Sequence, residues 1–410
     1  MVNASEAGLV NLLGDVTSAA AHQPGATAEM SCRGCGSDDV TRVLDLGLQP
    51  GSDHFPPASV PQPDERRPLE LWLCPRCTLV QLGPVTPRQP EPPLAVESAT
   101  SREHARASVR QILERMGALS RLSVVEFASH HGGSWLDHLT AAGARLASGT
   151  ERADLVVDVH ALAHEREVGR ALRVRAGRLA PQGLLVLEFH HLLPLLRGSQ
   201  FDTVRHGHWS YLSLGAIQLL AGEYGLRVVS AQAVPVFGGS LRVLLCHRGA
   251  GWVTDGSVPA LLGEETDAGL GRRESLARLQ EATVRAADLL HTYLTRLQAS
   301  GRTVLGYGAP SKAPVLLGVA GVGPDLLPFT VDLAPGKQGR RIPGCGIPIR
   351  PVEALRAAGP DVVLLLTWDI ADEVIDQLET AGGWGAQYVV PLPEPTRCFN
   401  NGLRSALEMG

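Results

Sequence analysis

Four cysteines carry the clearest chemistry in this chain. Cys32-Arg33-Gly34-Cys35 and Cys74-Pro75-Arg76-Cys77 are two C-x2-C knuckles separated by residues 36–73. Each knuckle turns two thiolates to one side, and together they supply the four sulfurs of a tetrahedral zinc site. Four thiolates leave zinc no open position, so such a metal is structural. Two disulfides or a redox pair would use the same residues, but a cytosolic setting disfavours both. Cys246, Cys345 and Cys398 stand alone and read as packing residues.

Histidines form the second cluster. Nine of the 14 fall at positions 130, 131, 138, 160, 164, 190, 191, 206 and 208. His130 and His131 follow one predicted strand, His160 and His164 the next, and His190 and His191 the strand that carries Glu188. In a doubly wound sheet such strand ends line the ligand crevice. Converging imidazoles can hold a second divalent metal, with Glu188 or Asp158 as carboxylate. They can also run acid–base chemistry without a metal. Scattered histidines with separate tasks are the plain alternative.

Two loops have the form of anion or cofactor cradles. Val124–Phe127 reads as a buried strand, and Ala128-Ser129-His130-His131-Gly132-Gly133 as a tight turn entering a helix. That is the layout of a nucleotide-cofactor loop, except that Ala128 stands at its first glycine. An alanine there, if φ must be positive, costs about 1 kcal/mol. The second loop is Gly306-Tyr307-Gly308-Ala309-Pro310-Ser311-Lys312 after the strand 303–306. Its backbone N–H groups can hold a phosphate, with Lys312 adding charge. Lys337, Arg340 and Arg341 are either an anion clamp or a solvated basic loop.

The elements that must position these residues follow from pattern. Residues 99–117 read as a helix capped by Ser101. Strands are expected at 122–127, 153–159 and 183–188, with helices at about 133–142 and 165–179. A helix over 214–224 ends at Gly225, and two strands lie within 226–247. One long helical connector spans 263–299. Strand and helix then alternate again, with strands at 303–306, 329–332, 361–366 and 387–390. Such alternation argues for parallel sheets covered on both faces.

The 410 residues suggest about three domains. The expected division is an N-terminal extension over 1–29, a zinc-binding domain over 30–95, a middle domain over 96–250 and a C-terminal α/β domain over 251–410. Proline-dense residues 84–93 mark the first boundary. A formal charge of −5 gives no bulk attraction to nucleic acid or anionic membrane. No apolar run is long enough for a membrane helix. The first 29 residues lack the basic start of a signal peptide. A cytoplasmic enzyme is expected, and the oligomeric state stays open.

The order of motifs resembles the sugar C-methyltransferases of antibiotic biosynthesis. It runs from the knuckles through Val43-Leu44-Asp45-Leu46-Gly47 and Phe201-Asp202-Thr203-Val204-Arg205-His206-Gly207-His208 to Gly238-Gly239-Ser240 and Gly306-Tyr307-Gly308. The resemblance implies a zinc-binding module, a Rossmann-like S-adenosylmethionine domain and a second Rossmann-like α/β domain. It implies removal of a proton next to a ketone of a nucleotide-linked keto-deoxysugar or sugar-like intermediate, then methylation of that carbon.

Carried over by position, the donor loop is Glu126, Ala128, His130, Gly132 and Gly133, with His160 beside it. The family's Tyr-x-Glu-His becomes Arg205, Gly207 and His208, so His208 is the expected base. His164 matches the histidine of the family's Asn-x3-His. His206, Tyr211 and Glu188 complete the candidate catalytic set. Gly306, Tyr307, Gly308, Lys312 and Lys337 are the candidate substrate ligands.

One departure is large. The family has a strand ending in an acid that grips the donor's ribose, then another helix and strand. Here residues 143–152 leave room for one short strand and a turn, with Glu151 as the available acid. The methyltransferase domain is therefore expected to be truncated. The alternative function is donor-free chemistry in the histidine-rich cleft: proton transfer, cyclisation, elimination or metal-assisted reaction.

Overall fold

The computed structural model describes residues 30–60, 63–84, 97–117, 122–128, 133–382, 385–399 and 402–404. The expected 1–29 extension and most of the 84–93 boundary lie outside them. Three sheets make the fold. In the first, β1 (Thr41–Pro50), β2 (Arg66–Leu73) and β3 (Val80–Leu82) form an antiparallel meander.

Helix α1 (Ala99–Met116) then leads into the middle sheet. Its cap is Ser98, not Ser101: the Ser98 hydroxyl accepts the Ser101 N–H at 3.0 Å. Serines at both positions suit the sequence rule equally, and only Ser98 has the extended backbone of a cap.

The middle segment runs β4 (Ser123–Phe127), α2 (Leu136–Ala141), β5 (Arg145–Leu146), β6 (Ala153–Val159), α3 (Val168–Arg178), β7 (Leu179–His190) and α4 (Leu192–Arg197). After β8 (Ser210–Tyr211) come α5 (Leu214–Gly222), β9 (Leu226–Val234) and β10 (Ser240–His247). The sheet order is β5-β4-β6-β7-β10-β9, with the first four strands parallel and β10 antiparallel to both neighbours. Core lies on both faces. Leu155, Val157, Leu184 and Val186 face α1 and α2, while Val156, Leu185 and Leu187 face α3 and α5. Two-sided burial explains why these strands read as continuous apolar runs.

Strand β8 does not join that sheet; it pairs with β3. The zinc-binding and middle segments therefore share a sheet. Cys32, Cys74 and Cys77 also pack into the middle core with Leu162, Val168 and Leu220.

The expected 263–299 connector is two helices, α6 (Ser257–Asp267) and α7 (Arg273–Ala299). The chain breaks at Gly269 and Gly271, both with positive φ that glycine adopts readily. In α7, Leu276, Leu279, Thr283, Ala286, Leu290, Leu294 and Leu297 are buried at helical spacing.

The last sheet comprises β11 (Val304–Tyr307), β12 (Thr330–Val331), β13 (Ile349–Arg350), β14 (Val362–Leu365), β15 (Gln387–Val390), β16 (Thr396–Phe399) and β17 (Gly402–Arg404). Its order is β13-β12-β11-β14-β15-β16-β17, parallel except for the last two. Helices α8 (Ala313–Val319), α9 (Glu353–Ala358) and α10 (Ala371–Thr380) connect it. Its α7-facing side and the N-terminal meander share one core, including Leu44, Leu71, Leu290, Leu316 and Leu364. Among the described residues, no helix is long and apolar enough to cross a membrane.

Candidate active site

A cavity of about 470 Å³ lies where the carboxyl ends of β6 and β7 face those of β11, β12 and β14. Its middle-segment wall is His160, His164, His190, Arg205, His208 and Phe237. Across from it are Tyr307, Gly308, Lys312, Asp332, Lys337 and Asp369. The start of α1 forms part of the rim, and Glu373 on α10 reaches it. The Glu373 carboxylate accepts the Ala99 N–H at 3.0 Å and the Thr100 N–H at 2.9 Å.

The histidines touch ring to ring. His208 stacks on His190 with centroids 5.6 Å apart and meets His164 edge-on at 5.1 Å. His160 abuts His190 and Phe237, each at 4.9 Å. The Nδ1–H of His164 donates to the Gly207 carbonyl at 2.9 Å, which leaves the ring's lone pair on Nε2. Burial pushes His160 down to about 4 and His190 well below its ordinary value, so both are neutral at neutral pH. His160 has φ +59, a left-handed conformation that costs about 1–2 kcal/mol without glycine. Its N–H, bonded to the Glu188 carbonyl at 2.6 Å, helps hold it there.

Glu188 is a support, not part of the cavity wall. Its carboxylate takes His104 Nε2 at 2.6 Å on one oxygen and Arg242 Nε at 2.9 Å on the other. Burial pushes the carboxyl up, but the His104 hydrogen bond and the Arg242 charge outweigh it and hold it below its ordinary range. Asp158 is likewise committed: it accepts Arg175 Nε at 2.6 Å and the Ala161 and Leu162 N–H groups at 3.0 Å each. Neither carboxylate is left to ligate a second metal. Among the described residues, the four cysteines are the one group close enough to share an ion.

Two other candidates sit behind the wall. The Tyr211 hydroxyl accepts the Arg205 N–H at 3.0 Å, and its ring supports His208 at 4.7 Å. His206 is outside the cavity lining, buried against the backbone of Gln49 and Arg67. It lies two residues from His208, and the turn between them, with Gly207 at φ +88 and the His208 N–H on the Arg205 carbonyl at 3.2 Å, sends the two rings apart. His191 also points away, bonding Glu265 at 2.7 Å.

The C-terminal loop departs from the phosphate-cradle expectation. The Gly308 N–H donates to the Val331 carbonyl at 2.6 Å, and the Ala309 N–H to Asp332 at 2.7 Å. Both donors are taken by β12 and the residue after it. Gly308 has φ +90, and an added Cβ would stand 2.6 Å from Thr367. Gly306 is interior to β11 and packs against Thr330. What the loop presents is side chain. Lys312 pairs with Asp369 and lies 3.8 Å over the Trp368 ring. Lys337, whose pKa burial lowers, donates to the Ala309 carbonyl at 2.8 Å. Asp53 of the N-terminal segment ties the wall together, bonding Ser311 and standing 3.5 Å from Arg205.

On the donor side, His130, His131 and Gly132 lie outside the described residues. Glu126 ties β4 to the start of α2, accepting the Ser134 hydroxyl at 2.5 Å and the Trp135 N–H at 2.7 Å. Gly133 gives its N–H to Glu97 at 3.0 Å. Ala128 is exposed and, like Glu126 and Gly133, does not line the cavity.

In the N-terminal segment, Cys32 and Cys77 sulfurs stand 3.5 Å apart and Cys35 and Cys74 3.6 Å, with all four within 4.8 Å. Tetrahedral zinc at a bond length of about 2.3 Å sets sulfurs about 3.8 Å apart. The four cysteines fit that ion.

A zinc binding domain family matches residues 32–90, and the C-methyltransferase C-terminal domain family matches residues 235–393. The C-methyltransferase NovU of Streptomyces niveus is 31% identical over 406 residues, covering 89% of this chain and 96% of that protein. The chain belongs to the C-methyltransferase family. It is thus an enzyme of a methyltransferase family.

Solved structures overlap it weakly. Magnesium protoporphyrin IX methyltransferase of Synechocystis, with S-adenosylhomocysteine bound, is 13% identical. It matches 36% of this chain and 84% of its own at a TM-score of 0.28. The 1,6-didemethyltoxoflavin-N1-methyltransferase of Burkholderia thailandensis is 14% identical, matching 41% and 95% at 0.27. Scores this low carry no weight beside the strand order itself.

Several wall residues have no sequence signal. Glu97, Arg102 and Glu373 meet only because α10 docks on α1. Phe237 had a faint one: it precedes Gly238-Gly239, where the chain must turn tightly beside Trp368 and Pro194.

Proposed function

We propose that the cavity binds a nucleotide-linked keto-deoxysugar or a sugar-like intermediate of natural-product biosynthesis. His208 then takes the proton next to its carbonyl, the step that opens C-methylation in this family. The observation that carries the reading is the contact of His164 and His208 in a cavity faced by Lys312, Lys337 and Arg205. A neutral imidazole is a good base near neutral pH. Neutral His190, stacked on His208, adds no charge that would oppose its protonation. The cationic side chains suit an anionic substrate and a developing enolate oxygen. Asp369 holds Lys312 in a tight pair, whereas Lys337 and Arg205 have looser partners in Asp332 at 3.8 Å and Asp53 at 3.5 Å and are the stronger candidates at the oxygen.

The four thiolates would hold zinc as a structural ion and suit a reducing cytoplasm. Such an ion would join the knuckles to the core behind α3 and α5 and take no part in proton transfer.

The test is hydrogen exchange at the carbon next to the ketone of thymidine diphosphate-4-keto-6-deoxyglucose in deuterium oxide, followed by NMR. His208→Gln should slow exchange by about 100-fold or more while leaving the melting temperature near that of the parent. Exchange at the parental rate in a folded His208→Gln protein would remove this function.

A further inference from the structure

The middle sheet holds its donor flank away from the cleft. Ligand crevices in parallel sheets lie at the carboxyl ends of the strands. Strand β4 reaches that end: Phe127 pairs with Asp158 of β6. Strand β5 does not. It pairs Arg145 with Ser123 and Leu146 with Val124, then stops. The three residues from Val124 to Phe127 span about 10 Å of strand. So β5 ends about that far below the level where a donor's ribose would be gripped.

The next acid is no nearer. Residues 147–152 turn directly into β6 at Ala153, at the same low end of the sheet. Glu151 lies in this turn, bound to Arg145 and accepting the Ser148 N–H at 3.1 Å. A parallel crossover with its own helix needs about a dozen residues; six cannot supply the missing helix and strand. Among the described residues, no strand pairs with the outer edge of β5. At the carboxyl end of β6, His160 occupies the space beside the cleft, wedged between His190 and Phe237.

The described residues of this flank therefore do not fit the adenosine half of S-adenosylmethionine. We infer that this chain has lost that half of the methyl-donor site and runs the proton-transfer half of its family's reaction independently of the donor. The second clause rests on the proton chemistry proposed above; the first stands on the sheet alone. The step balances without a co-reactant. The C–H bond next to the carbonyl breaks, its proton goes to the His208 imidazole, and its electron pair moves to the carbonyl oxygen. Return of a proton from His208, or from His164 once its Nε2 has taken one from solvent, restores the ketone. The product is the substrate with that hydrogen exchanged, and with its configuration inverted when the proton returns on the other face.

The experiment uses the full zinc-loaded chain and has two arms. Calorimetric titration with S-adenosylmethionine and S-adenosylhomocysteine should show no saturable binding up to about 1 mM. Saturation with a Kd below about 0.1 mM would overturn the lost donor site. In the second arm, thymidine diphosphate-4-keto-6-deoxyglucose is incubated in deuterium oxide with and without S-adenosylmethionine. Exchange should proceed at the same rate in both, with no gain of a methyl mass. A methylated product, or exchange only when the donor is present, would overturn donor independence. No exchange in either tube, together with no donor binding, would remove the proposed function and leave the lost donor site supported.

Discussion

The two α/β sheets that enclose the cavity differ on one flank. In the C-terminal sheet β11 has a parallel partner on each side, β12 and β14, and residues after all three strands line the cavity. In the middle sheet β4 has a full partner in β6 but on its other side only the two residues of β5, which stop at the level of Val124. A strand-end site needs two neighbours of full height, because the crevice forms where adjacent connections diverge. The C-terminal sheet has kept that geometry. The middle sheet has kept it only on the side of β6 and β7, where the histidines are. On the proposed reading, substrate and donor chemistry belong to opposite flanks of one sheet, so a short donor flank leaves the histidine flank seated.

Both sheets depend on the N-terminal segment, whose cysteines pack into the middle core and whose meander shares a core with the C-terminal lobe. The largest effect is therefore expected from Cys74→Ser. Structural zinc sites contribute roughly 10 kcal/mol in small zinc-binding peptides. The variant should lose its one zinc per chain by metal analysis and unfold broadly, with both lobes exposed to proteolysis. If only the first 84 residues became protease-sensitive, the lobes would be shown to stand without this scaffold.

The next largest concerns the histidine flank. Glu188→Gln leaves Arg242 buried without its carboxylate, a change of about 3–5 kcal/mol for a broken buried pair. Urea denaturation should show this loss. A loss under about 1 kcal/mol would mean that Gln111 and Ser108 suffice for Arg242.

How much of this was legible follows from the range over which each signal acts. The knuckles are local chemistry at fixed spacing, and the shortened flank is a matter of chain length between Gly143 and Ala153. Both read directly. The strand-end histidines were legible as a group because parallel strands all deliver their ends to one crevice. Which of them face it was not: His206 and His208 share a motif and point to different places. The Gly308 and Ala309 N–H groups looked available because sequence does not show Val331 and Asp332 arriving from the neighbouring strand. Glu373 capping α1, and Asp53 joining Arg205 to Ser311, are contacts between distant segments with no periodicity to betray them.

Acidity separates the wall from its support by a smaller amount. His160 and His206 are each pushed to about 4 by burial, from an ordinary 6.5. The unfolded chain therefore binds these protons first. Stability is full above pH 6.5 and falls as pH drops towards 4. Between pH 7.5 and 5.5 each histidine should contribute a loss of about 1.3 kcal/mol. His206→Asn, away from the cavity, should remove its share of this slope in urea titrations, leaving that of His160 and His190, and leave exchange unchanged. An unaltered slope would place the acid sensitivity elsewhere.

The smallest expected effect bears most directly on the comparison of the two flanks. Glu151 is the acid that the resemblance would offer to a donor's ribose, yet it lies at the low end of the sheet, bound to Arg145. Glu151→Gln removes the carboxylate charge and keeps the side-chain length. If the donor flank is lost, exchange and donor response should both stay within about twofold of the parent, since an exposed ion pair of this kind contributes little. A folded Glu151→Gln protein with weakened S-adenosylmethionine binding would show that the short flank still reaches a donor, and the contrast between the sheets would then lie in their shape alone.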